Sequence, residues 1–184
     1  MAQLCAAMLY AVCCLLPALQ LVSSQYDQDM NPEVPNAFRA LEKFPDGVAL
    51  YDIDKDGDLD CLTAERKEFS LEPPSATYVL SLRNVNGDIV RNITHHIKPG
   101  PTPDTTLYTE EGDDDDVHKC RFIYTDYKHC IVMEFPFWNG EECLMWISSE
   151  AGGGVPQSCT DKYRESCDNA VMAYDEESCL GLII

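Results

Sequence analysis

Thr77-Tyr78-Val79-Leu80-Ser81-Leu82-Arg83 alternates residue by residue. Tyr78, Leu80 and Leu82 fall on one side, and Thr77, Val79 and Ser81 on the other. A period of two marks a half-buried strand. Asn86-Gly87 follows, a strong hairpin turn, and Asp88 to Ile97 returns. Downstream the pattern repeats. Thr105 to Thr109 is a weak strand. Cys120 to Thr125 places Cys120, Phe122 and Tyr124 on one face. Cys130 to Phe135 follows, then the Asn139-Gly140 turn. Cys143 to Ser148 is the last long strand, with Leu144 and Trp146 sharing a face. Upstream, Val48 to Ile53 is a short apolar strand. Before it, Asn36 to Phe44 reads as a short helix capped by Asn36, with Phe38, Leu41 and Phe44 on one face. After Gly152-Gly153-Gly154 and Pro156 the period changes. Ser158 to Asn169 reads as a helix, with Tyr163 and Cys167 four apart on one side.

The tally is one short helix, seven or eight antiparallel strands joined by tight turns, and a C-terminal helix. The expected fold is all-β: an eight-stranded antiparallel up-and-down barrel with the C-terminal α-helix packed outside. Closing the sheet removes its exposed edges. The interior of such a barrel is just wide enough for one small ligand. It is the default binding site, with Tyr78, Leu80, Leu82, Phe122, Tyr124, Leu144 and Trp146 as the expected lining.

Composition narrows the partners. The chain has 184 residues, 32 acidic and 13 basic, for a net charge of −19. Nucleic acid and anionic membrane surfaces would be repelled. Met1 to Ser24 carries no charge, and Leu4 to Val22 is almost wholly apolar. Val22-Ser23-Ser24 supplies small residues at a cleavage site. This reads as a secretory signal peptide over 1–24, leaving a single domain over 25–184, secreted and without membrane insertion. Cleavage removes Cys5, Cys13 and Cys14. Cys61, Cys120, Cys130, Cys143, Cys159, Cys167 and Cys179 remain, an odd set in a compartment that favours disulfides.

The run Tyr124-Thr125-Asp126-Tyr127-Lys128-His129-Cys130 leads to Cys143-Leu144-Met145-Trp146. Val155-Pro156-Gln157-Ser158-Cys159 and Cys179 follow. Together these elements resemble the tick salivary lipocalins of the histamine-binding protein family, and within it the Japanin-like branch. The resemblance covers essentially the mature chain, most clearly Cys61 to Cys179. It implies the barrel with its outer helix and two bridges, Cys61–Cys179 and Cys130–Cys159. Alternation adds a third. Cys143 shares a face with Met145 and Ile147, and if that face is outer it meets the helix bearing Cys167. Cys143–Cys167 is therefore expected, with Cys120 left unpaired.

The resemblance also implies a function: a salivary protein that sequesters a small host ligand and modulates host immune and inflammatory responses. By family the ligand is a biogenic amine such as histamine. Histamine-binding members carry an acid two residues before the Trp of the Cys143–Trp146 element; here that residue is Leu144. A buried cation needs a charged partner. The departure favours a sterol or lipid, and the Japanin-like branch implies cholesterol and action on host dendritic cells. Two alternatives stand beside capture. One is a protein-binding immunomodulator whose loops engage a host immune-cell protein while the barrel is empty. The other is a calcium-dependent module.

The calcium reading rests on Asp52-Ile53-Asp54-Lys55-Asp56-Gly57-Asp58-Leu59-Asp60, which matches the opening of a calcium loop. Position 12 is Thr63, where a bidentate Glu is required, so no metal site is assigned. Glu110 to Asp116 reads as a solvated acidic connector. Asn92-Ile93-Thr94 is a glycosylation sequon, with Asn92 as acceptor. His95, His96, His118 and His129 have no metal-ligand spacing beyond the adjacent pair. No nucleophile elbow, phosphate loop or dinucleotide fingerprint is present, so neither an enzyme nor a cofactor is expected.

Overall fold

The alternating segments close into one sheet. A computed structural model describes residues 34–52, 62–83, 88–137, 140–151, 154–167 and 171–172. The expected leader, most of the Asp52–Asp60 loop, the Asn86-Gly87 turn and the Cys61–Cys179 pair lie outside the described residues. Helix α1 (Ala37–Lys43) is followed by β1 (Asp46–Asp52), β2 (Thr63–Leu71), β3 (Pro74–Arg83), β4 (Ile89–Pro99), β5 (Thr105–Glu110), β6 (Asp113–Thr125), β7 (Cys130–Phe137) and β8 (Gly140–Ile147). A short 3-10 turn (Ser149–Ala151), helix α2 (Gln157–Ser166) and a two-residue β9 (Val171–Met172) complete it.

Each of the eight long strands pairs antiparallel with its sequence neighbour, and β1 closes the ring by pairing with both β8 and β2. The seams are Ala49 opposite Trp146 and Gly47 opposite Ala64. Strand β9 pairs with β1 at Tyr51 and Asp52, beyond the stretch that β2 occupies. The molecule is a closed eight-stranded up-and-down barrel of lipocalin type with a C-terminal helix.

Alternation sorts the side chains into two cores. Ala76, Tyr78, Leu80, Leu82, Ile93, Phe122, Ile131, Met133, Phe135, Leu144 and Trp146 point inward and pack with α1. Val48, Leu50, Cys130, Val132, Cys143, Met145 and Ile147 point outward and are covered by Cys159, Tyr163 and Cys167 from α2 and its end. Two disulfides pin that outer core: Cys130–Cys159 and Cys143–Cys167. Cys120 is buried and unpaired. Tyr163, fully buried, donates its hydroxyl to the Cys143 carbonyl. Helix α2 ends at Ser166, short of the expected Asn169, because Cys167 is already extended where it bridges to β8.

One end of the barrel is plugged. Asn36 caps α1 by accepting from the Arg39 amide, and the Ala37 amide donates to Pro103. At the other end of α1, Arg66 donates to the carbonyls of Leu41 and Glu42, and Tyr78 to those of Leu41 and Phe44. The 125–130 loop holds the plug from outside. Asp126 accepts from the amides of Lys128, His129 and Cys130. Burial alone would raise the Asp126 pKa, but those amides and the His129 ring outweigh it and hold the carboxyl below its ordinary range. Tyr127, in the left-handed region at φ 58°, accepts from the Asn36 amide and carries the Arg39 guanidinium over its ring. The Tyr-Thr-Asp-Tyr element is therefore scaffold. Gly100 is needed in the adjoining loop, since a Cβ there would lie 2.3 Å from Thr105 Oγ1.

Two expectations need correction. Glu110–Asp116 is not a connector. Glu110 ends β5, Gly112 makes the turn at φ 91°, and Asp113–Asp116 begin β6 with exposed side chains. Backbone pairing needs no apolar face there, so alternation gives no signal. Strand β2 was not expected at all. Its sequence Thr63–Leu71 is polar because much of it stays in water and its Arg66 serves α1.

Candidate functional site

The barrel interior is not filled. A cavity, partly open to solvent, lies between α1 and the walls. Leu41 and Phe44 of α1, Asp46 and Gly47 of β1 and Ala64 of β2 border it. The rest of the lining is Tyr78, Leu80, His95, Ile97, Thr106, Tyr108, Cys120, Phe122, Ile131, Met133, Phe135 and Trp146.

Tyr78, Leu80, Phe122 and Trp146 from the expected lining border this space. Leu82 and Leu144 belong to the same interior core but do not border it. Tyr124 lies on the other side of the wall, packed with the core beneath α2. The β6–β7 register shifts between Phe122 and Tyr124. A bulge there breaks the period of two, and the side chain beyond it exits on the opposite face. Asn92 is exposed on β4 and accepts from the Ser81 hydroxyl.

The sequence reading missed His95 and Tyr108, and also Ile131, Met133 and Phe135. Two of these sets carried a signal. Ile131, Met133 and Phe135 alternate along β7 as plainly as Leu144 and Trp146 do along β8. His95 sits two residues from Ile93 and from Ile97 on β4, with the same inward phase.

The polar groups on the wall nearly all have partners. The Tyr78 hydroxyl holds α1, and burial pushes it up to about 12, so it stays protonated. The Tyr108 hydroxyl donates to the Pro136 carbonyl at 2.6 Å, and burial raises it further still. Burial also raises the Cys120 thiol, which has a hydrogen bond with Thr106. Such a thiol is a poor nucleophile at neutral pH. Asp46 accepts from the Ser149 amide.

His95 is different. Only 2 % exposed, it stacks on Tyr108 at 4.3 Å and faces Phe135 at 5.7 Å. Among the described residues its Nε2 has no hydrogen-bond partner. Glu110, directly across the β4–β5 ladder, brings Oε1 to 3.9 Å, too far for a direct bond. Burial, with the nearby His118 and His96, lowers its pKa to about 4, so the ring is neutral at physiological pH. The partly exposed Glu110 does not offset this.

The candidate metal cluster among the described residues, Asp126 with Cys130 and Cys159, is not one: the two sulfurs are bonded to each other. No helix among the described residues is long and apolar enough to cross a membrane.

Comparison with known proteins agrees with this architecture. No curated protein matches the chain. Among solved structures, the serotonin complex of AM182 superposes with TM-score 0.59 at 17% identity, over 80% of this chain and 94% of that one. Japanin from Rhipicephalus appendiculatus, bound to cholesterol, gives 0.52 at 8% identity, over 77% and 94%. Insecticyanin from the tobacco hornworm Manduca sexta gives 0.57 at 14%, over 76% and 82%. At these identities the likeness is one of fold alone. The family model described as tick histamine binding protein matches residues 51–181. That match spans most of the barrel and its outer helix, and the chain belongs to the tick histamine-binding protein family.

Proposed function

We propose that the protein is a secreted scavenger that captures a small, largely apolar host ligand of sterol or lipid type and so damps host immune and inflammatory responses. The observation that carries this reading is the chemistry of the cavity wall. Its surface is built from aliphatic and aromatic side chains, and its hydroxyls already serve the protein. Leu144, fully buried in the interior core, holds the position where histamine-binding members carry an acid. Affinity would come from apolar burial, roughly 25 cal/mol per Å² before the costs of association. Capture is stoichiometric and involves no bond chemistry. That one structural neighbour binds cholesterol supports the class.

A biogenic amine is the second reading. It is favoured by the family and by the serotonin-bound neighbour, with Asp46 on the cavity wall as the available carboxylate. Calorimetry with histamine and serotonin, set beside a cholesterol-binding assay and native mass spectrometry of protein from a eukaryotic host, separates the two. A retained sterol or lipid and weak amine binding are expected. Tight amine binding that Asp46→Asn abolishes would replace the first reading with the second. N-terminal sequencing of the secreted product should begin at Gln25, and loss of mass on Asn92→Gln would register the glycan.

A further inference from the structure

The His95 imidazole is packed inside the barrel. Its ring packs against Tyr108 and Phe135, which stack on each other at 5.2 Å, so three rings form one cluster that holds it. Its neighbours Tyr78, Tyr108 and Cys120 have all found partners within the protein. Nε2 has no hydrogen-bond partner among the described residues. A buried polar atom in that state carries a standing penalty, removed by whatever supplies the missing hydrogen bond. Glu110 stands 3.9 Å away. That gap is too long for a hydrogen bond, yet a single oxygen about 2.8 Å from each group would satisfy both.

We infer that His95 Nε2, with Glu110 beside it, is the polar anchor of the barrel, and that it takes the hydroxyl of an otherwise apolar ligand. A hydroxyl has one donor and two acceptor positions. It gives its proton to the Glu110 carboxylate and accepts from the neutral imidazole N–H. Both partners are then satisfied without placing a new charge in the wall. A primary ammonium fits less well, because it brings three donors and a charge to a site offering one carboxylate. The anchor rests on the capture of an apolar ligand proposed above, and it adds the functional group by which that ligand is oriented.

The test uses three matched probes that displace a fluorescent dye from the barrel: dodecan-1-ol, tridecane, in which a methyl replaces the hydroxyl, and dodecylamine. His95→Phe keeps the stacked ring and removes the nitrogens. It should weaken dodecan-1-ol about tenfold, the worth of one recovered hydrogen bond, and leave tridecane within about twofold. Equal effects on alcohol and alkane, or none, would overturn the anchor while leaving capture intact. A larger loss for dodecylamine than for the alcohol would overturn it in favour of an amine site. If no probe displaces the dye from wild-type protein, capture of apolar ligands and the anchor fall together. Nitrogen NMR of the His95 ring in the wild type tests the same contact without a variant: saturating dodecan-1-ol should move the Nε2 signal, and an unmoved signal counts against the anchor.

Discussion

Strands β7 and β8 each serve two cores, and the two cores are built differently. Outward from β7 and β8, Cys130, Val132, Cys143, Met145 and Ile147 meet the helix α2, its Tyr163 and two disulfides. Inward from the same strands, Ile131, Met133, Phe135 and Trp146 face a cavity closed at one end by α1. The outer face is a structural seal. The inner face is a wall left partly without a neighbour. An eight-stranded ring is wide enough to leave room for one small ligand among its inner side chains, whereas a helix can settle fully on the outer face. Stability and capture are thus divided between opposite sides of one sheet.

That division can be broken at several points. The largest effect is expected from the double change Cys130→Ala, Cys159→Ala. The bridge spans 29 residues, and chain-entropy arguments put its loss at about 3–4 kcal/mol. Urea denaturation should show the fall while ligand affinity at low denaturant is kept. Loss of binding in step with stability would deny the separation of the two cores.

Acid comes next. With its folded pKa held at about 4 against an ordinary 6.5, His95 refuses a proton that the unfolded chain accepts. Stability should therefore fall as pH drops from about 6.5 towards 4, by up to about 3 kcal/mol. Denaturation midpoints of wild type and His95→Phe should diverge over that window. Parallel curves would show that the ring is not kept neutral. Asp126, whose pKa is depressed, loses its contribution at lower pH and in both proteins alike.

Met145→Ala and Met133→Ala compare the two cores most directly. Met145 is fully enclosed in the outer core, whereas Met133 is 8 % exposed and borders the cavity. Large-to-small changes of this kind cost about 2–5 kcal/mol where packing is complete. Met145→Ala should fall in that range and Met133→Ala about 1–2 kcal/mol below it, with ligand affinity moving only for Met133. Equal losses would mean that the inner wall is as tightly packed as the outer. The smallest effect belongs to the plug. Asn36→Ala removes the cap of α1 and should cost about 1 kcal/mol. Amide exchange should quicken in α1 and not in α2.

Much of the fold was legible because its strands alternate cleanly. Tyr78, Leu80 and Leu82 could be placed on one face from spacing alone. The phase of Cys143 set it on the face opposite Leu144 and Trp146, and that face meets the helix. What escaped was whatever broke the period or lacked apolar residues. Tyr124 was misplaced by a bulge, β2 by its polarity, and Asp113–Asp116 by their charge. His95 was set aside as an ordinary histidine, since spacing says nothing of the stack that buries it.

The antiparallel order of the apolar strands and the inward or outward phase of most of their residues were fixed by the one-dimensional pattern, because a pleated strand turns every second side chain the same way. Which inward residues border open space, and which polar atom among them is left without a partner, was decided only when the ring closed. Both depend on distances across the barrel, between strands far apart in the chain, and no local rule of spacing carries that information.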